Sequence, residues 1–251
     1  MVTEASAPLL THDHLLKGRV QLRQMRHGLR AGLDAVLLAA AIPAQPGELV
    51  LEAGCGSGAV FLCLLARVPD LRIIAIEQDP ALADLARQNA ALNGWADRVT
   101  VLQGDVADPA VLAANGSIDH ACANPPFWPD GTPPPAGLRA AATHHLQGPG
   151  LDVWAGALSR PLRRRGTVTL VLPAGRHSEG SAALRQARCG AVSLLPLWPR
   201  AGMPAKRVIL QGRREARSPD TLAPGLVLHD LAGWTEPVRQ VLEEGAPLSW
   251  P

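Results

Sequence analysis

Tyrosine is absent from this 251-residue chain, and phenylalanine occurs only at Phe61 and Phe127. Aromatic residues make up 3% of the sequence, so each phenylalanine is a candidate for a specific task rather than bulk packing. Cysteine is also sparse: Cys55, Cys63, Cys122 and Cys189 are dispersed, form no C-x-x-C pair and have no histidines at matching spacing. That argues against a disulfide framework and a zinc site, and no metal is expected. No apolar run approaches the roughly 18 residues that a membrane span requires. Met1 to Leu16 carries Glu4, Asp13 and two histidines and lacks the apolar core of a signal peptide. No internal repeat occurs at solenoid periods. These absences lead to the expectation of a reduced, cytoplasmic protein without a membrane partner, its oligomeric state open and a monomer favoured.

What is present supports a large buried core: 47% of residues are hydrophobic and 18% charged, a balance that disordered chains do not have. Charge is unevenly spread. Residues 1–150 hold 10 Lys+Arg against 14 Asp+Glu, whereas residues 151–251 hold 14 against 8, the basic excess running from Arg160 to Arg217. A half of one sign fits a polyanionic partner, although any single arginine is more simply a solvated surface residue.

Hydrophobic patterning predicts alternating strands and helices. Gly32 to Ile42 reads as a buried helix ended by Pro43 and Pro46-Gly47. Strands are expected at Glu48–Ala53, Arg72–Glu77, Val99–Gln103, Ile118–Ala123, Thr167–Leu172, Ala191–Leu197 and Lys206–Gln211. Helices are expected at Ala59–Arg67, Pro80–Leu92, Val153–Leu162 and Ser181–Arg188. The Pro- and Gly-rich stretch from Pro125 to Gly150 is too long for an ordinary connection and reads as a functional loop. This alternation implies an α/β fold with a doubly wound, mostly parallel sheet of seven strands, the last antiparallel, and a ligand at the strands' carboxyl ends.

The candidate site residues fall at those ends. Glu52-Ala53-Gly54-Cys55-Gly56-Ser57-Gly58 follows the first of these strands and opens a helix, so its backbone can approach a ligand closely. Gly54, Gly56 and Ala59 also satisfy the dinucleotide pattern, which keeps a nicotinamide-dependent oxidoreductase open. Glu77, followed by Gln78, ends the second strand, where a carboxylate can accept from ribose hydroxyls. Glu52 would repel a pyrophosphate but suits a ligand with a cationic amino group and no phosphate, such as S-adenosylmethionine. Asp105, before Val106, is placed to accept from an adenine amino group. Capping roles for Glu52 and Asp105 are the simpler alternatives.

Asn124-Pro125-Pro126-Phe127 follows the fourth strand. A delocalised exocyclic amine reacts only if its nitrogen pyramidalises. The Asn124 side-chain oxygen and the Pro125 carbonyl can each take one N–H, while the prolines fix direction and add no competing donor. Phe127 offers a face for a base. The same four residues also make an ordinary turn.

With the glycine loop, Glu77, Asp105 and Asn124–Phe127 in this order, the sequence resembles the class I S-adenosylmethionine-dependent methyltransferases. Upstream, Gly28, Arg30, Gly32 and Asp34 precede a Leu-Leu-Ala helix, as in the tRNA1(Val) adenine-N6 methyltransferase family. The resemblance continues in Ala142-Thr-His-His-Leu, in Ala205 to Arg214, and in Leu228-His229-Asp230 with Trp234-Thr235. Trp128 and the Thr132-Pro-Pro-Pro-Ala loop depart from it, and His144 and His145 receive no role. The resemblance implies S-adenosylmethionine as cofactor, Asp34 at its methionine end, Asn124 beside it, and tRNA as substrate. Methylation of a protein glutamine at N5 or of rRNA guanine at N2 remains the alternative among enzymes sharing the segment. It further implies a single domain over 1–251: an N-terminal segment (1–45), a catalytic core (46–215) and a C-terminal extension (216–251). A tRNA substrate makes the basic strip a phosphate surface, with Lys206 and Arg207 as the residues expected to hold RNA.

Overall fold

The computed structural model describes residues 10–27, 30–111, 118–126 and 149–248. The described residues begin with an antiparallel pair, β1 (Leu10–Leu15) and β2 (Val20–Met25), for which the sequence reading assigned no element. Its signal is period two: Val20, Leu22 and Gln24 are buried in alternation. Helix α1 (Leu33–Ala41) follows. The central strands are β3 (Leu49–Ala53), β4 (Arg72–Glu77), β5 (Val99–Gln103), β6 (Ile118–Ala123), β7 (Leu162–Pro173), β8 (Cys189–Arg200) and β9 (Arg207–Arg214). Between them lie α2 (Ala59–Arg67), α3 (Pro80–Leu92), α4 (Leu151–Ser159) and α5 (His177–Gln186). The C-terminal stretch adds β10 (Thr221–Leu222), β11 (Leu226–Asp230), β12 (Gly233–Trp234) and α6 (Glu236–Glu244).

The seven expected strands form one contiguous block in the order β5-β4-β3-β6-β7-β9-β8. All neighbours are parallel except β9, which runs antiparallel to both β7 and β8. The sheet is wider than seven strands: β10 and β11 pair in parallel with the outer edge of β8, and β12 closes that side. Two of these pieces are only two residues long and the third only five, too short to carry a strand period in sequence. Covering β8 also removes an open sheet edge.

Alternate residues of each strand face opposite cores. Val50, Val171 and Ile209 join α1, α2 and the β1–β2 pair, whereas Leu51, Leu170 and Leu210 join α4 and α5. Both faces are therefore covered, which is why the strands read as continuous apolar runs. Helix α6 packs Val238 and Val241 into the first core, and the chain after it returns to α1 through Leu248 N–H to Ala40 C=O at 2.8 Å.

Two asparagines one turn apart, Asn89 on α3 and Asn93 capping its end, hold the N-terminal strand pair. Asn89, fully buried, accepts from Arg23 N–H and donates to Arg23 C=O and to Ser57 C=O, each at 2.9 Å. Asn93 repeats the pattern on Gln21, accepting at 2.9 Å and donating at 2.7 Å. The amides thus continue the backbone ladder of β2 into a helix, and Asn89 ties it to the loop after β3.

Candidate active site

Strand order reverses between β3 and β6: the chain leaves β3 toward β4 and β5 on one side, and β6 leads to β7 on the other. A cleft opens at the carboxyl ends of such a pair. Register fixes what meets there, because Ala53 pairs with both Ile76 and Ala123, and Glu77 with Gln103. The glycine loop, Glu77, Asp105 and Asn124 consequently share one edge.

Three glycines of the loop do different things. Gly54 has φ +66, and a Cβ there would lie 2.9 Å from Cη2 of Trp154, which α4 places over the loop. Gly58 (φ +95) is buried, and a Cβ would stand 2.3 Å from the Phe61 ring. It serves the turn into α2, and Phe61 is the packing partner of this turn. Gly56 (φ +55) is the one open to a ligand, with no atom within 4 Å of a Cβ position. Cys55 is buried and its N–H binds Ile76 C=O at 3.0 Å.

Glu77 accepts from Gly56 N–H at 2.8 Å and Asp79 N–H at 3.0 Å. Four lone-pair directions serve a carboxylate, so capacity remains for ribose hydroxyls. Gln78, next to it, is exposed. Glu52 is 3% exposed and accepts from Phe61 N–H, the third amide of α2, at 3.0 Å. Burial pushes its carboxyl up to about 8; the Phe61 hydrogen bond opposes this and the nearby Glu77 charge adds to it. Glu52 is thus a cap as well as a buried acid whose charge a cationic ligand group would favour. Capping also occupies the helix terminus that a pyrophosphate would need, which weighs against the dinucleotide alternative. Asp105 is exposed, with one oxygen accepting from Ala107 N–H at 2.8 Å, and Val106 is buried beneath it. A cleft of about 210 Å³ beside Val106 is bounded by Asp152, Val153 and Arg160.

Asn124 is exposed, Pro125 buried and Pro126 exposed, directly after β6. A buried Pro125 fixes its carbonyl while leaving the Asn124 side chain accessible. Phe127, Trp128, the Thr132 loop, His144, His145 and Gly28 lie outside the described residues. Asp34 accepts from Arg207 Nε at 2.8 Å. Arg207 pairs in register with Pro173 at the carboxyl end of β7, so Asp34 reaches the site edge through this ion pair. The expectation that Arg207 is simply a phosphate hand meets a second task, holding the start of α1 to β9. Lys206 beside it is exposed. Arg30 binds the β1–β2 pair instead, through Asp13 and Thr11, each at 2.7 Å.

The ion pair between α1 and β9, the Trp154 lid over Gly54 and the Asn89 clamp escaped sequence reading. Only the last left a trace, as Asn89 and Asn93 recur at helical spacing.

A family model described as methyltransferase domain matches residues 50–149. The fold is that of solved methyltransferases. A predicted O-methyltransferase from Agrobacterium tumefaciens superposes with a TM-score of 0.71 at 21% identity, over 86% of this chain and 98% of that one. Geranyl diphosphate C-methyltransferase from Streptomyces coelicolor A3(2), solved with S-adenosyl-L-homocysteine, gives 0.53 at 14% identity over 72% and 78%. Fold, domain match and site together define an S-adenosylmethionine-dependent methyltransferase. In sequence, the tRNA1(Val) (adenine(37)-N6)-methyltransferase of Actinobacillus succinogenes is 31% identical over 84% of this chain and 87% of its own length. That of Aeromonas hydrophila subsp. hydrophila is 34% identical over 74% and 77%. The chain belongs to the tRNA1(Val) (adenine(37)-N6)-methyltransferase family.

Proposed function

We propose that the protein transfers a methyl group from S-adenosylmethionine to the exocyclic N6 of an adenine in tRNA. The observation that carries this reading is the placement of Asn124 and Pro125 directly beyond β6, one strand from the glycine loop. Bound S-adenosylmethionine would supply an electrophilic methyl group on its sulfonium centre. Glu77 would take the ribose hydroxyls, Asp105 the cofactor's adenine amino group, and Glu52 would lend negative charge beneath the amino acid end. Gly56 allows close backbone approach and Gly54 lets the loop pass under Trp154, with Cys55, Gly58 and Val106 shaping the walls and Gln78 at the rim. Asp34, steadied by Arg207, would close the methionine end.

For the target amine, Asn124 Oδ1 and the Pro125 carbonyl would each accept one N–H, so the nitrogen lone pair points toward the methyl carbon. Pro126 has no N–H to compete, and Phe127 would stack on the base. Orientation and fixed dipoles, not a strong base, supply the rate. Lys206 and Arg207 would hold RNA phosphates at the same edge. A tRNA substrate also makes the cytoplasm the expected compartment.

Labelled methyl groups should pass from the cofactor to tRNA and not to release-factor protein. The relatives' name makes adenine 37 of tRNA1(Val) the first position to map. Asn124→Ala should lower transfer by about a hundredfold, with cofactor affinity changed far less. Full transfer by that variant would refute the mechanism.

A further inference from the structure

The basic strip divides in three dimensions. Lys206 and Arg207 stand at the carboxyl end of the sheet, where Arg207 pairs with Pro173. Arg164, Arg165, Arg188 and Arg217 gather at the amino end, around a cleft of about 810 Å³ that also contains Glu215 and Ser218. From Gly166 to Pro173 along β7 is about 23 Å at roughly 3.3 Å per residue. This cleft is therefore remote from the proposed site of methyl transfer.

Two arginines near this cleft are already paired: Arg163 with Asp119 and Glu48, and Arg185 with Asp220. Inside it, Glu215 alone is acidic, at 4.0 Å from both Arg164 and Arg214. Arg165, Arg188 and Arg217 have no acidic partner among the described residues, and all three are exposed. The frame beneath them is tightly built. A Cβ on Gly166 would lie 2.7 Å from the Asp119 carbonyl, and one on Gly190 2.3 Å from that of Ala216. Arg165, Arg188 and Glu215 sit in left-handed backbone at φ 64, 62 and 58, and Glu215 N–H binds Arg188 C=O at 2.8 Å. Such conformations persist only where the surroundings impose them. Arg165 and Arg188 thus rise from imposed backbone, and with Arg217 they bring three guanidinium groups without an acidic partner among the described residues to one concave surface.

We propose that this cleft binds the sugar–phosphate backbone of the same folded RNA whose adenine enters the site at the other end of the sheet. The inference rests on the tRNA reading above and adds a second, sequence-independent grip. Guanidinium forks match phosphate oxygens. No aromatic residue lines the cleft for base stacking, and no exposed apolar side chain is there to enter a lipid surface. RNA held at two separated points binds more tightly than fragments too short to reach both.

The test combines Arg165→Ala, Arg188→Ala and Arg217→Ala and compares full-length tRNA with a short RNA hairpin carrying the target adenine. For full-length tRNA, affinity should fall at least about tenfold and the log–log salt slope by roughly two to three. KM for that substrate should rise in parallel, while KM for the hairpin and the affinity for S-adenosylmethionine stay unchanged. The corresponding Arg→Lys variant should retain most of the affinity, and Arg217→Ala alone, on an exposed loop, should show about a third of the slope change. Unaltered tRNA binding and salt slope would overturn the proposal, as would an equal loss on the hairpin. Binding to phosphatidylglycerol vesicles through these arginines, with RNA affinity unaffected, would overturn it in favour of a membrane partner. If the wild-type protein binds tRNA through the cleft but methylates no RNA, the cleft stands and the proposed reaction falls.

Discussion

Replacing Asn89 by alanine tests how the N-terminal strand pair is joined to the cofactor loop. The asparagine is fully buried and makes three hydrogen bonds at 2.9 Å, two to Arg23 and one to Ser57. Its removal leaves one amide and two carbonyls without partners. Each stranded buried group costs about 1–3 kcal/mol. Here β2 is at the edge of its pair and can admit water after a small shift, so the low end applies and the sum is about 3 kcal/mol. For a protein of this size that corresponds to about 6–12 °C in Tm, a large share of a typical stability of about 5–15 kcal/mol but compatible with folding. Urea unfolding and a thermal melt of the ligand-free protein measure it. Ser57 belongs to the glycine loop, so the folded variant should also bind S-adenosylmethionine more weakly. Asn89→Asp separates the two roles of the amide: it keeps the acceptor for Arg23 N–H but turns a carboxylate toward two carbonyls, and should be at least as damaging. A loss under about 1 kcal/mol for alanine, or wild-type stability for aspartate, would refute the clamp.

Glu52 carries a pH prediction. Its folded-state pKa lies above the ordinary value, so its share of stability is fully present below about 4.5 and is lost as pH rises through about 8. Melts of the ligand-free protein from pH 5 to 9 should show wild type losing up to about 4 kcal/mol relative to Glu52→Gln over this window; parallel curves would contradict it. The loop glycines should split by assay. Gly58→Ala forces a side chain into left-handed backbone against the Phe61 ring and should destabilise by about 1–3 kcal/mol or more. Gly56→Ala meets open space and should cost about 1–2 kcal/mol, yet weaken cofactor binding strongly because its methyl projects where the ligand approaches. Equal behaviour of the two in melts and titrations would show that the loop does not face the cofactor as described.

The sequence by itself determined the seven-strand block, the position of the glycine loop and the chemistry available at each strand end. Those are local properties: apolar runs of strand length, glycines at turns, and acids at or just beyond the strand ends. Sequence reading also ended the first of these strands at Ala53 and placed Asn124 directly after β6. It could not separate a ligand-facing glycine from a packed one, because Gly56 and Gly58 differ only in what surrounds them. Nor could it tell Asp34 and Arg207 apart from independent site residues, since 172 other positions stand between the pair and only β9 running antiparallel beside β7 brings them together. The basic strip makes the same point. As a string of arginines it is one feature; folding carries β7, β8 and β9 past one another in alternating directions and sends its members to opposite ends of a sheet. Side-chain chemistry is written locally, but distance and pairing depend on register and strand direction, which are set by the burial of the whole core.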